Sequence, residues 1–260
     1  MSEYQNLLFE QSGPITRITL NRPQAANGMN DALLTELADA AARADTEATK
    51  VVVLTGAGRF FSAGGDLKAM AASPLGPGPF VRGIAEDLHK AISTFARMDA
   101  VLITAVNGVA AGAGFSLAIS GDLVLAASSA SFTMAYTKAG LSPDGSSSYY
   151  LPRLIGIRRT QELMLTNRTL SADEALQWGV VNEVVDGAEL MARADALANQ
   201  IAAGAKGSHA AVKKLVLATW DNSIEEQMAL EATLIGENAD AADGKEGIDA
   251  FLNKRAPNFR

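Results

Sequence analysis

The chain contains no cysteine in its 260 residues. Disulfides, thiol nucleophiles and thiolate metal sites are thereby excluded, and a reducing cytoplasm is the expected location. Histidine is nearly as scarce. His89 and His209 are the only two, with no HxH or HxxxH spacing, so no metal site is expected. Positive charge is short as well: 22 Lys and Arg stand against 29 Asp and Glu, a formal net charge of −7. No basic stripe interleaved with aromatics occurs, and phosphate binding depends on a local excess of Lys and Arg, so no nucleic-acid partner is expected. No apolar run reaches the length of a membrane span, and "MSEYQNLLFE" shows no secretory signal, so neither a membrane partner nor export is expected. Missing too are a GxGxxG opening a helix after the first strand, a Walker lysine motif, and a GxSxG elbow with a usable triad.

What is present describes a globular domain. Hydrophobic residues make up 48% and charged residues 20%, on a chain long enough to bury a large core. "LLFEQSGPITRITL" reads as two strands around a Ser-Gly-Pro turn. Asn30 is positioned to cap a helix carrying Leu33, Leu34, Leu37 and Ala41 at helical spacing. "KVVVLTG" and "AVLITAV" are short, apolar and β-branched, as strands buried on both faces are. The Pro- and Gly-rich stretch 71–80 is expected to be a mobile loop. Helices predominate after residue 144, with "VVNEVV" as one more strand.

Two glycine-rich corners follow the two buried strands, "FFSAGGDL" and "NGVAAGAGFS". Each reads as a strand turning into a helix, which aims free backbone N–H groups outward. Two such corners on adjacent strands can converge on one carbonyl oxygen as an oxyanion hole. The plainer reading is that small residues permit tight strand–helix packing. Asp144, between Pro143 and Gly145 in "LSPDGSSSYYLPR", also has two readings. It fits a type I turn with a capping carboxylate, or it carries chemistry.

The segments "LNRPQAANGMNDALLTEL", "FFSAGGDLK", "AVNGVAAGAGFSLAISGDLVLAA", "LPRLIG", "SADEALQWGVVNEVV" and "KEGIDAFLNKR" resemble, in order and spacing, the enoyl-CoA hydratase/isomerase (crotonase) superfamily. The resemblance covers nearly the whole chain. It implies an α/β fold, a crotonase spiral of stacked ββα turns over residues 1–198. A C-terminal helical region, 199–260, would build trimers or dimers of trimers. It further implies an acyl-CoA thioester substrate, with the N–H groups of Gly65 and Ala113 on its carbonyl oxygen. Ala63, Gly64, Gly65, Asp66, Leu67 and Lys68 would run beside the CoA. Lys68 and Lys254 would contact its phosphates, or be solvated surface lysines. No cofactor is implied, because coenzyme A is part of the substrate.

The hydratases of the superfamily hold water between two glutamates, and those positions fall here at Ser116 and Tyr136. Neither is acidic, so two-carboxylate hydration is not expected. Asp144 falls where some isomerases of the superfamily carry their only catalytic carboxylate. The resemblance then implies an enoyl-CoA isomerase with Asp144 as acid and base, Tyr136 and His89 beside the acyl group. Phe115, Leu141, Tyr149 and Tyr150 are expected to wall an apolar cavity. The stretch 71–80 and the helix carrying His89 are expected to close over the acyl end. Three alternatives stand beside this reading. One is aryl-CoA dehalogenation with Asp144 as nucleophile and His89 and Tyr136 in the comparable places. The others are enoyl-CoA hydration and a non-enzymatic, acyl-CoA-binding oligomeric scaffold.

Overall fold

The computed structural model describes residues 4–259, so the outermost residues of the two expected regions, 1–3 and 260, lie outside the described residues. The first hairpin forms as the sequence predicts, with β1 (Leu7–Ser12) and β2 (Ile15–Leu20) antiparallel around Gly13 at φ +57°. Asn30 caps α1 (Asp31–Ala44) by accepting from the Leu33 amide at 3.0 Å, an interaction worth about 1 kcal/mol. The buried face of α1 is Leu33, Leu34, Leu37, Ala40, Ala41 and Ala44, which repeats at helical spacing.

The two apolar segments become β3 (Val51–Gly56) and β5 (Val101–Val106), every residue of both buried. They pair in parallel and continue to β7 (Leu123–Ala127) and β10 (Glu183–Val185). The resulting six-stranded sheet runs β1-β2-β3-β5-β7-β10. A second sheet holds β4 (Phe60–Ser62), β6 (Val109–Ala111), β8 (Ser131–Thr133) and β9 (Leu170–Ser171) in that order. Successive turns of chain thus lay one strand in each sheet and then return through a helix. This repeated ββα path is the spiral α/β architecture that the resemblance implies. Unforeseen in the sequence are the three-residue strands β4 and β6, which form the first part of each glycine corner.

The connecting helices are α2 (Leu67–Ala72), α3 (Pro77–Arg97) and α4 (Ala113–Ala118), the last buried along its whole length. The expected loop 71–80 is therefore confined to 73–76. Pro77 and Pro79 lie in the first turn of α3, where the helix leaves amides unbonded and the ring costs nothing. Beyond Asp144 come α5 (Ser147–Thr166), broken at Gly156 with φ +77°, and α6 (Ala172–Trp178), capped by Ser171 and Glu174. α7 (Leu190–Ala202) lies across β3, β5 and β7 and spans position 198 as one continuous helix. α8 (Lys206–Ala218), α9 (Ile224–Asp240) and α10 (Ala242–Leu252) complete the chain. Lys213 fastens α8 to the core. Its ammonium donates to the Phe95 and Ala100 carbonyls and pairs with Asp122 at 2.8 Å. Among the described residues no helix is long and apolar enough to cross a membrane.

Candidate active site

Both glycine corners face one cavity, and their geometry explains their composition. Gly64 has φ +85°, and a Cβ there would sit 2.5 Å from the Ala111 carbonyl oxygen. A Cβ on Gly114 would sit 2.3 Å from the Ser62 carbonyl oxygen. These two glycines let the corner after β4 press directly against the corner after β6. Gly65 pairs with Met29 in a parallel bridge whose bonds run through Gly64 and Asp66. The N–H of Gly65 therefore points away from Met29. Ala113 is the first residue of α4, directly after Gly112 at φ +53°. Neither N–H donates to a group among the described residues, and both residues line the cavity. Backbone donors left unpaired where two buried corners meet are suited to an oxygen that gains negative charge.

The stretch before β4 holds this arrangement in register, and sequence reading passed over its members. Asn27 is fully buried, and its side-chain amide donates to the Ala57, Phe60 and Phe61 carbonyls at 3.0, 2.8 and 3.1 Å. Ser62 donates to the Asn27 carbonyl at 2.8 Å and accepts from the Gly64 amide at 3.1 Å. The only signal for Asn27 was its place in "NRPQAANGM", a segment that matched the superfamily without revealing a role.

Asp144 is not a helix cap. α5 begins at Ser147 after Ser146, and no side-chain cap bond closes its start. The backbone carbonyl of Asp144 is the anchored group, accepting from the hydroxyls of Ser116 at 2.7 Å, Ser147 at 3.0 Å and Tyr136 at 3.1 Å. Ser116 and Tyr136 also contact each other at 3.0 Å. Burial pushes the Tyr136 hydroxyl well above the usual phenol range, and the nearby Asp144 charge acts in the same direction, so it stays protonated. Asp144 lines the cavity, and its carboxylate Oδ1 lies 2.7 Å from Nε2 of His89 on α3.

The cavity measures about 290 Å³ and is walled mainly by apolar side chains. Met29 and Leu34 contribute from the first part of the chain, Leu67 and Met70 from α2, and Val81, Ile84 and Leu88 from α3. The helix carrying His89 thus forms one wall of the cavity, whereas residues 73–76 do not line it.

Of the expected site residues, Ala63, Gly65, Leu67, Ala113, Tyr136 and Asp144 line this one cavity. Gly64 lies buried behind it. Asp66 points elsewhere: it caps α2 through the Lys68 and Ala69 amides and pairs with Arg22 at 3.2 Å. Burial works to raise its carboxyl, but the Ala69 amide and the Arg22 guanidinium outweigh it and hold the group below its ordinary value. The Lys68 side chain is exposed near the mouth, and Lys254 is an exposed residue beyond α10, outside the cavity lining.

The expected apolar wall is corrected in three positions. Leu141 lines the cavity, but Phe115 is buried against Phe132 at 5.2 Å between ring centroids, on the core side of α4. Tyr149 and Tyr150 follow the start of α5 away from the cavity and line a separate open groove with His89 and Lys214. Among the described residues no three His, Asp or Glu side chains gather as a metal site would require.

Known proteins align with the whole of this architecture. The family model described as enoyl-CoA hydratase/isomerase matches residues 10–260. A Rhodobacter capsulatus protein named probable enoyl-CoA hydratase is 40% identical over 256 residues, covering 98% of each chain. The 1,2-epoxyphenylacetyl-CoA isomerase of Escherichia coli is 38% identical over 247 residues, covering 94% of each. Among solved structures, an enoyl-CoA hydratase from a Polaromonas species superimposes with a TM-score of 0.93 at 33% identity. That alignment covers 98% of this chain and 99% of the other.

Proposed function

Since the chain belongs to the enoyl-CoA hydratase/isomerase family, we propose that it is an enoyl-CoA isomerase in which Asp144 moves one proton between two carbons of the acyl chain. The observation that carries this reading is a placement. Asp144 lines the same cavity as Gly65 and Ala113 with their unpartnered N–H groups, and the two positions that the resemblance matches to the hydratase acids hold hydroxyls here.

The substrate is a 3-enoyl-CoA whose thioester oxygen accepts from Gly65 and Ala113. Asp144 removes the α-proton, and the C–H electrons pass into a dienolate with negative charge on that oxygen. Asp144 then returns the proton to the γ-carbon, which leaves the double bond conjugated with the thioester. No metal or redox cofactor is needed, because the thioester acidifies the proton and the amides carry the charge. The hydratase alternative is favoured by the names of relatives, among them the probable enoyl-CoA hydratase of Rhodobacter capsulatus, but Ser116 and Tyr136 bond to the Asp144 carbonyl and offer no acidic pair to hold water.

A second reading is favoured by the His89–Asp144 contact at 2.7 Å. In aryl-CoA dehalogenation, Asp144 would displace halide from an aromatic ring as an ester, and His89 would activate water to hydrolyse it. Self-association as a trimer or a dimer of trimers is proposed with either reading. Its support is the apolar surface on α8, α9 and α10 and the turn after α8, where Val216, Ile235, Phe251 and Trp220 are exposed.

The test follows a linear 3-enoyl-CoA by ultraviolet absorbance as it becomes conjugated. Wild type is expected to convert it, and Asp144→Ala to lose roughly 10²–10⁴ in rate while still binding the CoA ester. Silence from wild type on this substrate, with halide release from a haloaryl-CoA, would establish the second reading instead. Silence on both would leave an acyl-CoA-binding scaffold.

A further inference from the structure

We infer that His89 is a proton relay connecting Asp144 to solvent, so that the proton returned to the γ-carbon is drawn partly from water. The inference rests on the reading of Asp144 as the isomerase base. Asp144 and His89 stand back to back between two spaces. Asp144 lines the apolar cavity, and His89 lines the open groove on the far side of α3, together with Ser146, Tyr149 and Lys214. The contact between Oδ1 and Nε2, at 2.7 Å, joins the two.

The exposures of the pair run in the direction a relay requires. The His89 side chain is 52% exposed and that of Asp144 is 33% exposed. The cavity side is apolar, with Leu88, Leu141, Pro143 and Ile84 among its walls. Nε2 is engaged with Asp144, and Nδ1 has no hydrogen-bond partner among the described residues, so it is left to water. Imidazole can accept a proton at one nitrogen while releasing another from the second.

The proton balance closes without a further reactant. Once Asp144 holds the α-proton, its acid hydrogen passes to Nε2 of a neutral, Nδ1-protonated imidazole. The Nδ1 proton then leaves to water, and Asp144 is a carboxylate again. The half-exposed ring then exchanges its Nε2 hydrogen with water, and passage in the reverse direction, of that solvent proton from Nε2 back to Asp144, reloads the acid for the γ-carbon. Without the relay the same acid keeps its proton through the dienolate step, and the α-hydrogen reappears at the γ-carbon.

The experiment runs the isomerisation of a linear 3-enoyl-CoA in D₂O and measures deuterium per molecule of conjugated product by mass spectrometry. The readout is a ratio that reports how hydron exchange at Asp144 competes with protonation of the γ-carbon, not how much product each variant makes. Wild-type product is expected to carry deuterium. In His89→Gln, whose amide can still bond to Asp144 but cannot pass a proton through, deuterium per product is expected to fall several-fold. His89→Ala is expected to fall likewise and to recover when imidazole is added. Equal deuterium content in wild type and both variants would overturn the relay and leave the isomerase standing, as would a wild-type product free of deuterium. Absence of any conjugated product from wild type would instead remove the isomerase reading, and the relay with it.

Discussion

The Tyr136 hydroxyl lies 3.0 Å from Ser116 Oγ and 3.1 Å from the backbone carbonyl oxygen of Asp144. The resemblance matches Ser116 and Tyr136 to the acids of the hydratases, and here they clamp the backbone of Asp144. Its carbonyl is fixed by these hydroxyls while its carboxylate meets His89. Tyr136→Phe removes one of the three hydroxyl donors to that carbonyl. Stability is expected to drop by about 1 kcal/mol, the usual net value of one hydrogen bond. In the isomerase assay kcat should fall with little change in KM, and by less than in Asp144→Ala. Thermal unfolding and steady-state kinetics check the two parts separately.

Gly64→Ala tests the corner geometry. The new Cβ would meet the Ala111 carbonyl oxygen at 2.5 Å and the Ala113 nitrogen at 3.1 Å, on a backbone at φ +85°. The corner after β4 must then move away from α4, separating the Gly65 and Ala113 amides. The expected loss is on the order of 10²–10³ in kcat, the cost of removing one oxyanion donor. A variant that folds with wild-type activity would show that these amides do not share one oxygen.

Asp66 gives a pH dependence with a definite sign. Its folded-state pKa is held below its ordinary value of 3.8. The stabilisation it contributes is therefore fully present above that value and is lost as pH falls through the depressed folded-state pKa. Asp66→Asn keeps an acceptor for the α2 amides but loses the charge facing Arg22. Urea unfolding should find the variant less stable than wild type at neutral pH. The gap should close as the medium is made more acidic than 3.8.

Lys213→Ala tests the join between the helical tail and the core. Removing the ammonium leaves Asp122, which also accepts from the Leu102 amide at 2.7 Å, without its cation partner. It also strips two carbonyls of their donor. The expected destabilisation is roughly 3 kcal/mol, at the lower end for breaking a buried pair because Asp122 is partly exposed. The measurement is the urea midpoint, with Lys213→Met as a control that restores volume without charge.

Much of the fold was legible because its signals are local. Short runs that are mostly apolar and rich in β-branched residues have few alternatives to a strand covered on both faces, and β3 and β5 followed. Asn30, Ser171 and Ser223 announce helix starts by bonding an amide within three residues. The glycine corners were legible as corners, although the short strands β4 and β6 inside them were not, since three residues carry too little pattern to read.

The sequence by itself determined the strands, the caps, the corners and the absence of acids at Ser116 and Tyr136. Tertiary structure alone decided what Asp144 does with each of its polar groups. Its carbonyl meets Ser116 across 28 positions and its carboxylate meets His89 across 55. It also decided that Tyr149 and Tyr150 turn to the outer groove and that Asp66 is held by Arg22. The physical reason is one of range. Caps and periodicity act within a turn of the chain, whereas these contacts exist only after two sheets stack and bring α3, α4 and the segment ending at Asp144 around one cavity.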